Sequence, residues 1–152
     1  MKKIVIYYSY TGNTKLVAHK IKEKLNCDIL ELTPKNPFST DYDEVVNEYQ
    51  TNSIDKSVEI NDIGINLDDY DELIIGTPVW WYTMCPVIST FLKNYDLSGK
   101  TINVFATNAG WLGHTFKDFE KLCNVKHSMN IVFDLNKLKT SEEELDNWIE
   151  NL

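Results

Sequence analysis

Five apolar residues, Ile4-Val5-Ile6-Tyr7-Tyr8, run straight into Ser9-Tyr10-Thr11-Gly12-Asn13-Thr14, and Leu16, Val17, Ile21 and Leu25 follow at helical spacing. This reads as a strand over Lys3 to Tyr8, a tight loop, and a helix from Asn13 to Leu25. A strand apolar at every position has no water-facing side, so it needs cover on both faces; helices flanking a parallel sheet provide that. The loop carries four hydroxyl residues (Ser9, Tyr10, Thr11, Thr14), one amide side chain and a glycine free to take φ > 0. Backbone N–H groups opening a helix lack intrahelical partners and lie at its positive end. A phosphate held by neutral donors suits such a loop. So does an ordinary capped helix start, since Ser, Thr and Asn all favour that position.

The alternation repeats along the chain. A second strand, 28–33, stops at Pro34. Residues 34–66 are polar, and Tyr42, Val45, Val46 and Tyr49 within them predict a helix at 41–51 before an irregular connection. Asp71 to Gly76 is the third strand, followed by a loop over 77–85 and a helix opened by Pro86. Thr101 to Ala106 is the fourth strand. A loop over 107–113 leads into a helix with Phe116, Phe119 and Leu122. Ser128 to Phe133 is the fifth strand, and Ser141 with Glu144 resembles a capping box before the last helix. Five strands alternating with helices predict one α/β domain spanning 1–152, with a parallel sheet between two helical layers.

Charge narrows the partners. With 15 Lys and Arg against 23 Asp and Glu, the net charge is −8. That argues against nucleic acid and anionic membranes, and it suits a basic protein partner. The scattered Cys27, Cys85 and Cys123 show no metal-ligand spacing, and an odd number of thiols suggests a reducing compartment. No stretch approaches a membrane span or a secretory leader, so a cytoplasmic protein is expected.

In open α/β sheets ligands lie beyond the carboxyl ends of the strands, where three of these loops fall. The first suits phosphate. The second, Thr77-Pro78-Val79-Trp80-Trp81-Tyr82, places three aromatics in a row. The third, Thr107-Asn108-Ala109-Gly110-Trp111-Leu112-Gly113, mixes small residues, amides and an indole. Exposed rings are unfavourable unless they cover something flat or pack on the core. Together the three loops suggest a planar, phosphorylated cofactor. Cys85 reads as a buried small thiol, and His114 has no partner that the sequence identifies.

Ser-x-Thr-Gly-Asn-Thr after the first strand, Thr-Pro-Val-Trp-Trp after the third and Thr-Asn-Ala-Gly after the fourth resemble flavodoxins, in particular their short-chain group. The resemblance spans the chain. It implies a flavodoxin-like five-stranded parallel sheet of order 2-1-3-4-5 that binds FMN non-covalently. By that resemblance, Ser9, Tyr10, Thr11, Gly12, Asn13 and Thr14 hold the phosphate. Thr77, Pro78, Val79, Trp80 and Trp81 contact ribityl and ring, and Thr107, Asn108, Ala109, Gly110, Trp111 and Gly113 close the other side. Two departures stand out. Trp111 enters a loop that is usually small, where it either stacks on the ring or narrows the pocket. The 77–85 loop lacks the glycine that most easily permits the peptide rearrangement stabilising a one-electron-reduced flavin.

Three functions follow as expectations. The first is a low-potential electron carrier that meets redox partners with basic surfaces, its aromatic and acidic surround disfavouring the anionic reduced ring. The second is an FMN-dependent NAD(P)H quinone or nitro reductase of the same fold. The third is a binding domain without flavin. Oligomeric state is not legible.

Overall fold

The computed structural model describes residues 2–49 and 58–152. In chain order the elements are β1 (Lys3–Tyr7), α1 (Asn13–Leu25), β2 (Asp28–Glu31), α2 (Tyr42–Tyr49), β3 (Glu72–Trp80) and β4 (Thr83–Met84). They continue as α3 (Pro86–Asn94), β5 (Thr101–Asn108), α4 (Thr115–Leu122), β6 (Val125–Asp134), β7 (Lys137–Leu138) and α5 (Glu142–Glu150). The sheet runs β2-β1-β3-β5-β6-β7, with β4 joined to β3. Strands β2, β1, β3, β5 and β6 are parallel neighbours in that order. Taken alone and numbered along the chain they give the expected 2-1-3-4-5. The sheet nevertheless has seven strands, because β4 and β7 add two-residue antiparallel hairpins.

Alternate residues of each strand feed two cores. Val5, Tyr7, Ile74 and Phe105 pack with Val17, Ala18 and Ile21 of α1 and Leu145 and Ile149 of α5. Ile4, Ile6, Leu73, Ile75 and Val104 pack with Val87, Ile88 and Phe91 of α3 and Phe119 of α4. This two-sided burial explains the uninterrupted apolarity of β1 and β3. Ser141 caps α5, its Oγ accepting the Glu144 N–H at 3.0 Å.

Several boundaries differ from the sequence expectation, among them the end of β5, which runs past Ala106 to Asn108 because Thr107 and Asn108 pair with Ile131 and Val132 of β6. Residues 77–80 are strand rather than loop, because Thr77 and Pro78 continue the ladder against Ala106 and Thr107 while Val79 and Trp80 pair with β4. β6 begins three residues before Ser128, as its pairing with β5 reaches back to Val125 across a register shift at Ile102/Asn103. β2 ends at Glu31, and the segment beyond it turns to pair elsewhere: Pro34 bridges Ile60, and the Lys35 N–H donates to Glu59 O at 2.9 Å. Residues 50 and 51 of the helix expected at 41–51, and the connection after it up to residue 57, lie outside the described residues. Among the described residues no helix is long and apolar enough to cross a membrane.

Candidate functional site

A cavity of about 590 Å³ opens at the carboxyl ends of the central strands, within the size range of cofactor pockets. Tyr10, Thr11 and Asn13 form one end. The β3–β4 hairpin contributes Pro78, Val79, Trp80, Trp81 and Tyr82, and the third loop contributes Thr107, Asn108, Ala109, Gly110 and Trp111. Tyr42 and Val45 of α2, with Phe133 and Leu135 around the β6–β7 turn, complete the wall.

At the first loop, the residue preceding α1 is Gly12, at φ 106°, and no side chain caps the helix. The first turn holds no acidic residue. Its N–H groups therefore point, without intrahelical partners, from a positive helix end beside Thr11 and Asn13. Asn13 Nδ2 donates to Leu135 O at 3.1 Å, which joins this loop to the β6–β7 turn.

Five residues expected at the site lie off the cavity wall and shape it instead. Ser9 Oγ accepts the Gly12 N–H at 3.1 Å. The Thr14 and Thr107 hydroxyls meet at 2.7 Å in the interior. Thr77 Oγ1 accepts the Cys85 N–H at 3.0 Å and donates to Pro78 O at 2.8 Å, fixing the base of the hairpin. Gly113 lies against the Tyr82 backbone.

The two adjacent tryptophans differ. Trp80 is 7% exposed and sits edge-on to Phe38, Tyr10, Tyr8 and Trp81, so most of it is core. Trp81 is half-buried and turns to the cavity. Tyr82 and Trp111 are 51% and 68% exposed and stand edge-to-face at 5.5 Å. Trp81 and Tyr82 are the central residues of a two-residue hairpin turn, at φ 48° and 76°. Turns of this kind usually take Asn-Gly. The missing glycine has not kept this backbone out of the left-handed region.

Two buried titratable groups nearby, Tyr8 and Cys85, are neutral. Burial pushes the Tyr8 phenol well above its ordinary value and the Cys85 thiol up to about 12. Cys85 is inert packing.

Sequence reasoning did not place Tyr42, Val45, Tyr82, Phe133 or Leu135 at the site. Helical spacing announced α2 but not that its Tyr42 and Val45 line the cavity. Tyr82 was visible as the third ring of its run. Leu135 reaches the cavity only because β6 and β7 form a hairpin around Leu135 and Asn136, a turn the sequence reading passed over although asparagine favours one.

A family model described as Flavodoxin matches residues 2–152. No curated protein matches the chain. Among solved structures, a chain from Bacteroides eggerthii described as a flavoprotein is 27% identical, with a TM-score of 0.80, covering 99% of this chain and 96% of its own. A flavoprotein from Lactobacillus acidophilus, solved in complex with FMN, is 25% identical with a TM-score of 0.69 and covers 97% of each chain. Oxidised flavodoxin 2 from Bacillus cereus, 21% identical with a TM-score of 0.56, covers 99% of this chain and 96% of its own and shares the fold. With its parallel 2-1-3-4-5 core, its cavity at the strand ends and a family match from residue 2 to residue 152, the chain belongs to the flavodoxin family.

Proposed function

We propose that the protein binds FMN and carries electrons at low potential between redox partners with basic surfaces. One observation carries this reading: a single cavity joins an uncapped helix start, suited to a phosphate, to a wall carrying the aromatic Trp81, Tyr82 and Trp111 and the small residues Ala109 and Gly110. The donors and the aromatic wall fit FMN, and the similar Lactobacillus acidophilus protein was solved with that cofactor. FMN supplies the redox chemistry when bound. The chain's own part is to hold the phosphate at Thr11, Asn13 and the α1 N–H groups, and to cover the ring against water.

The mouth of the cavity supports transfer to a partner. Five large apolar side chains are markedly exposed among the described residues (Leu16, Tyr42, Tyr82, Trp111 and Leu135), and all but Leu16 border the cavity. Clustered exposure of this kind marks contact surfaces. Asp41, Asp43 and Glu44 flank Tyr42 and are exposed, so a basic partner would meet apolar contact and opposite charge together.

The test is reconstitution with FMN, followed by anaerobic potentiometry and assays with NAD(P)H. Expected are one flavin per chain with quenched fluorescence, negligible NAD(P)H oxidation by the protein alone, and salt-sensitive reduction through a basic reductase. Turnover of NAD(P)H with a quinone or nitro compound and no partner would make it a reductase instead. Failure to bind FMN would leave only a flavin-free binding domain.

A further inference from the structure

The Trp81–Tyr82 turn asks two residues with a Cβ to hold left-handed backbone, a conformation that persists only where the surroundings over-determine it. The start of α4 does so through three contacts. Tyr82 O accepts the His114 N–H at 2.7 Å. Gly113, at φ 62°, lies so close that a Cβ there would stand 2.5 Å from the Tyr82 Cα. Thr83, which follows the turn, donates its hydroxyl to Asp118 Oδ2 at 2.5 Å.

Asp118 is 4% exposed, and it is the hub of this contact set. Its Oδ2 also accepts from His114 Nδ1 at 2.5 Å, and Lys121 Nζ lies 3.4 Å from Oδ1. An ionised carboxylate has no proton to give, so the imidazole carries its hydrogen on Nδ1. Burial by itself would raise the Asp118 carboxyl, but hydrogen bonds from Thr83 and His114 outweigh it and hold the group below its ordinary value. Neither Asp118 nor Thr83 lines the cavity.

We infer that Asp118 is a positioning residue for the cavity: through Thr83 and His114 it locks the Trp81–Tyr82 turn and thereby sets how those rings meet the cofactor. The inference rests on reading the cavity as the FMN site. It makes the ring environment a property of α4 as well as of the loops that touch the ligand.

The experiment compares wild type, Thr83→Val, Thr83→Ser and Asp118→Ala, each with and without Tyr82→Gly. Near-UV circular dichroism of the flavin-free protein reports the tryptophan setting. Visible circular dichroism and fluorescence titration report bound FMN. Thr83→Val and Asp118→Ala are expected to change both spectra and raise the Kd for FMN about tenfold, the scale of one lost hydrogen bond. Thr83→Ser keeps the hydroxyl and behaves as wild type. Glycine takes φ 76° without strain, so in the Tyr82→Gly background the same changes raise Kd only about twofold. Unchanged spectra and Kd within about twofold for Thr83→Val overturn the inference, as do equal losses in both backgrounds. Should wild type not bind FMN, the cavity reading fails, while the near-UV spectra still decide whether Asp118 sets the turn. If Asp118→Ala does not fold, the two Thr83 variants carry the test alone.

Discussion

The hydroxyl pair that joins the first loop to the third gives a sharp test of how the site is held. Thr14 opens α1 and Thr107 lies near the end of β5. They are 1% and 4% exposed, and their hydroxyls are 2.7 Å apart. Thr14→Val nearly preserves shape and strands the Thr107 hydroxyl in the interior. An unsatisfied buried group of this kind costs about 1–3 kcal/mol. The added methyl recovers up to about 0.8 kcal/mol of apolar transfer, leaving a net loss of about 0.2–2.2 kcal/mol. With a urea m-value of about 2 kcal/mol/M, the midpoint of the flavin-free protein falls by about 0.1–1.1 M while the slope stays constant. Thr14→Val combined with Thr107→Val removes both partners, and such a replacement is close to neutral. The double variant should therefore be more stable than Thr14→Val alone. Denaturation followed by far-UV circular dichroism decides this. Strictly additive losses would refute the reasoning, because they would mean that the two hydroxyls satisfy other groups.

Four further outcomes are expected. Gly12→Ala costs about 1–2 kcal/mol from the backbone at φ 106° alone, since a Cβ there meets no atom within 4 Å; Gly76→Ala drives a Cβ into the Phe105 ring and loses about 3 kcal/mol or more, so thermal midpoints should rank the two. Trp111→Ala leaves stability within about 0.5 kcal/mol, as befits an exposed residue, yet weakens FMN in a fluorescence titration; unchanged affinity would remove Trp111 from the ring site. The Asp118 carboxyl sits below its ordinary value in the fold, so its stabilisation is complete above about pH 4 and is lost as pH falls through the depressed value; Asp118→Ala should flatten that acid limb in midpoints measured against pH. Cys85, buried and pushed up to about 12, should stay unreactive towards a thiol reagent at neutral pH until the protein unfolds.

A parallel sheet covered on both faces was legible because alternation and two-sided apolarity are local signals; its strand order came only from the resemblance to flavodoxins. β1 and β3 read as central strands from five- and six-residue windows, and α1 began where its spacing predicted. What stayed illegible depends on contacts between distant segments. Trp80 and Trp81 are chemically identical neighbours in the sequence. Only the arrival of Tyr8, Tyr10 and Phe38 around Trp80 makes one of them core and leaves the other at the cavity. His114 had no partner in the sequence because Asp118 becomes one only when α4 winds, four residues being one helical turn. Residues 77–80 read as loop because their strand partners, Ala106, Thr107, Thr83 and Met84, lie elsewhere in the chain.

The two hairpins carry the clearest conflict between local preference and position. Four non-glycine residues among the described ones have positive φ: Asn26, Trp81, Tyr82 and Leu135. Asn26 ends α1 in the left-handed cap that asparagine tolerates. The remaining three are bulky and apolar, and all of them line the cavity. Leu135 is 87% exposed, so neither burial nor turn propensity accounts for a leucine there. Folding alone would be better served by glycine at each of these positions, where it relieves the backbone. Glycine would also strip the cavity of three side chains and the mouth of two of its four exposed apolar groups. Strain therefore falls on three residues that line the cavity, two of them exposed, the pattern expected where a surface is shaped for a ligand rather than for stability.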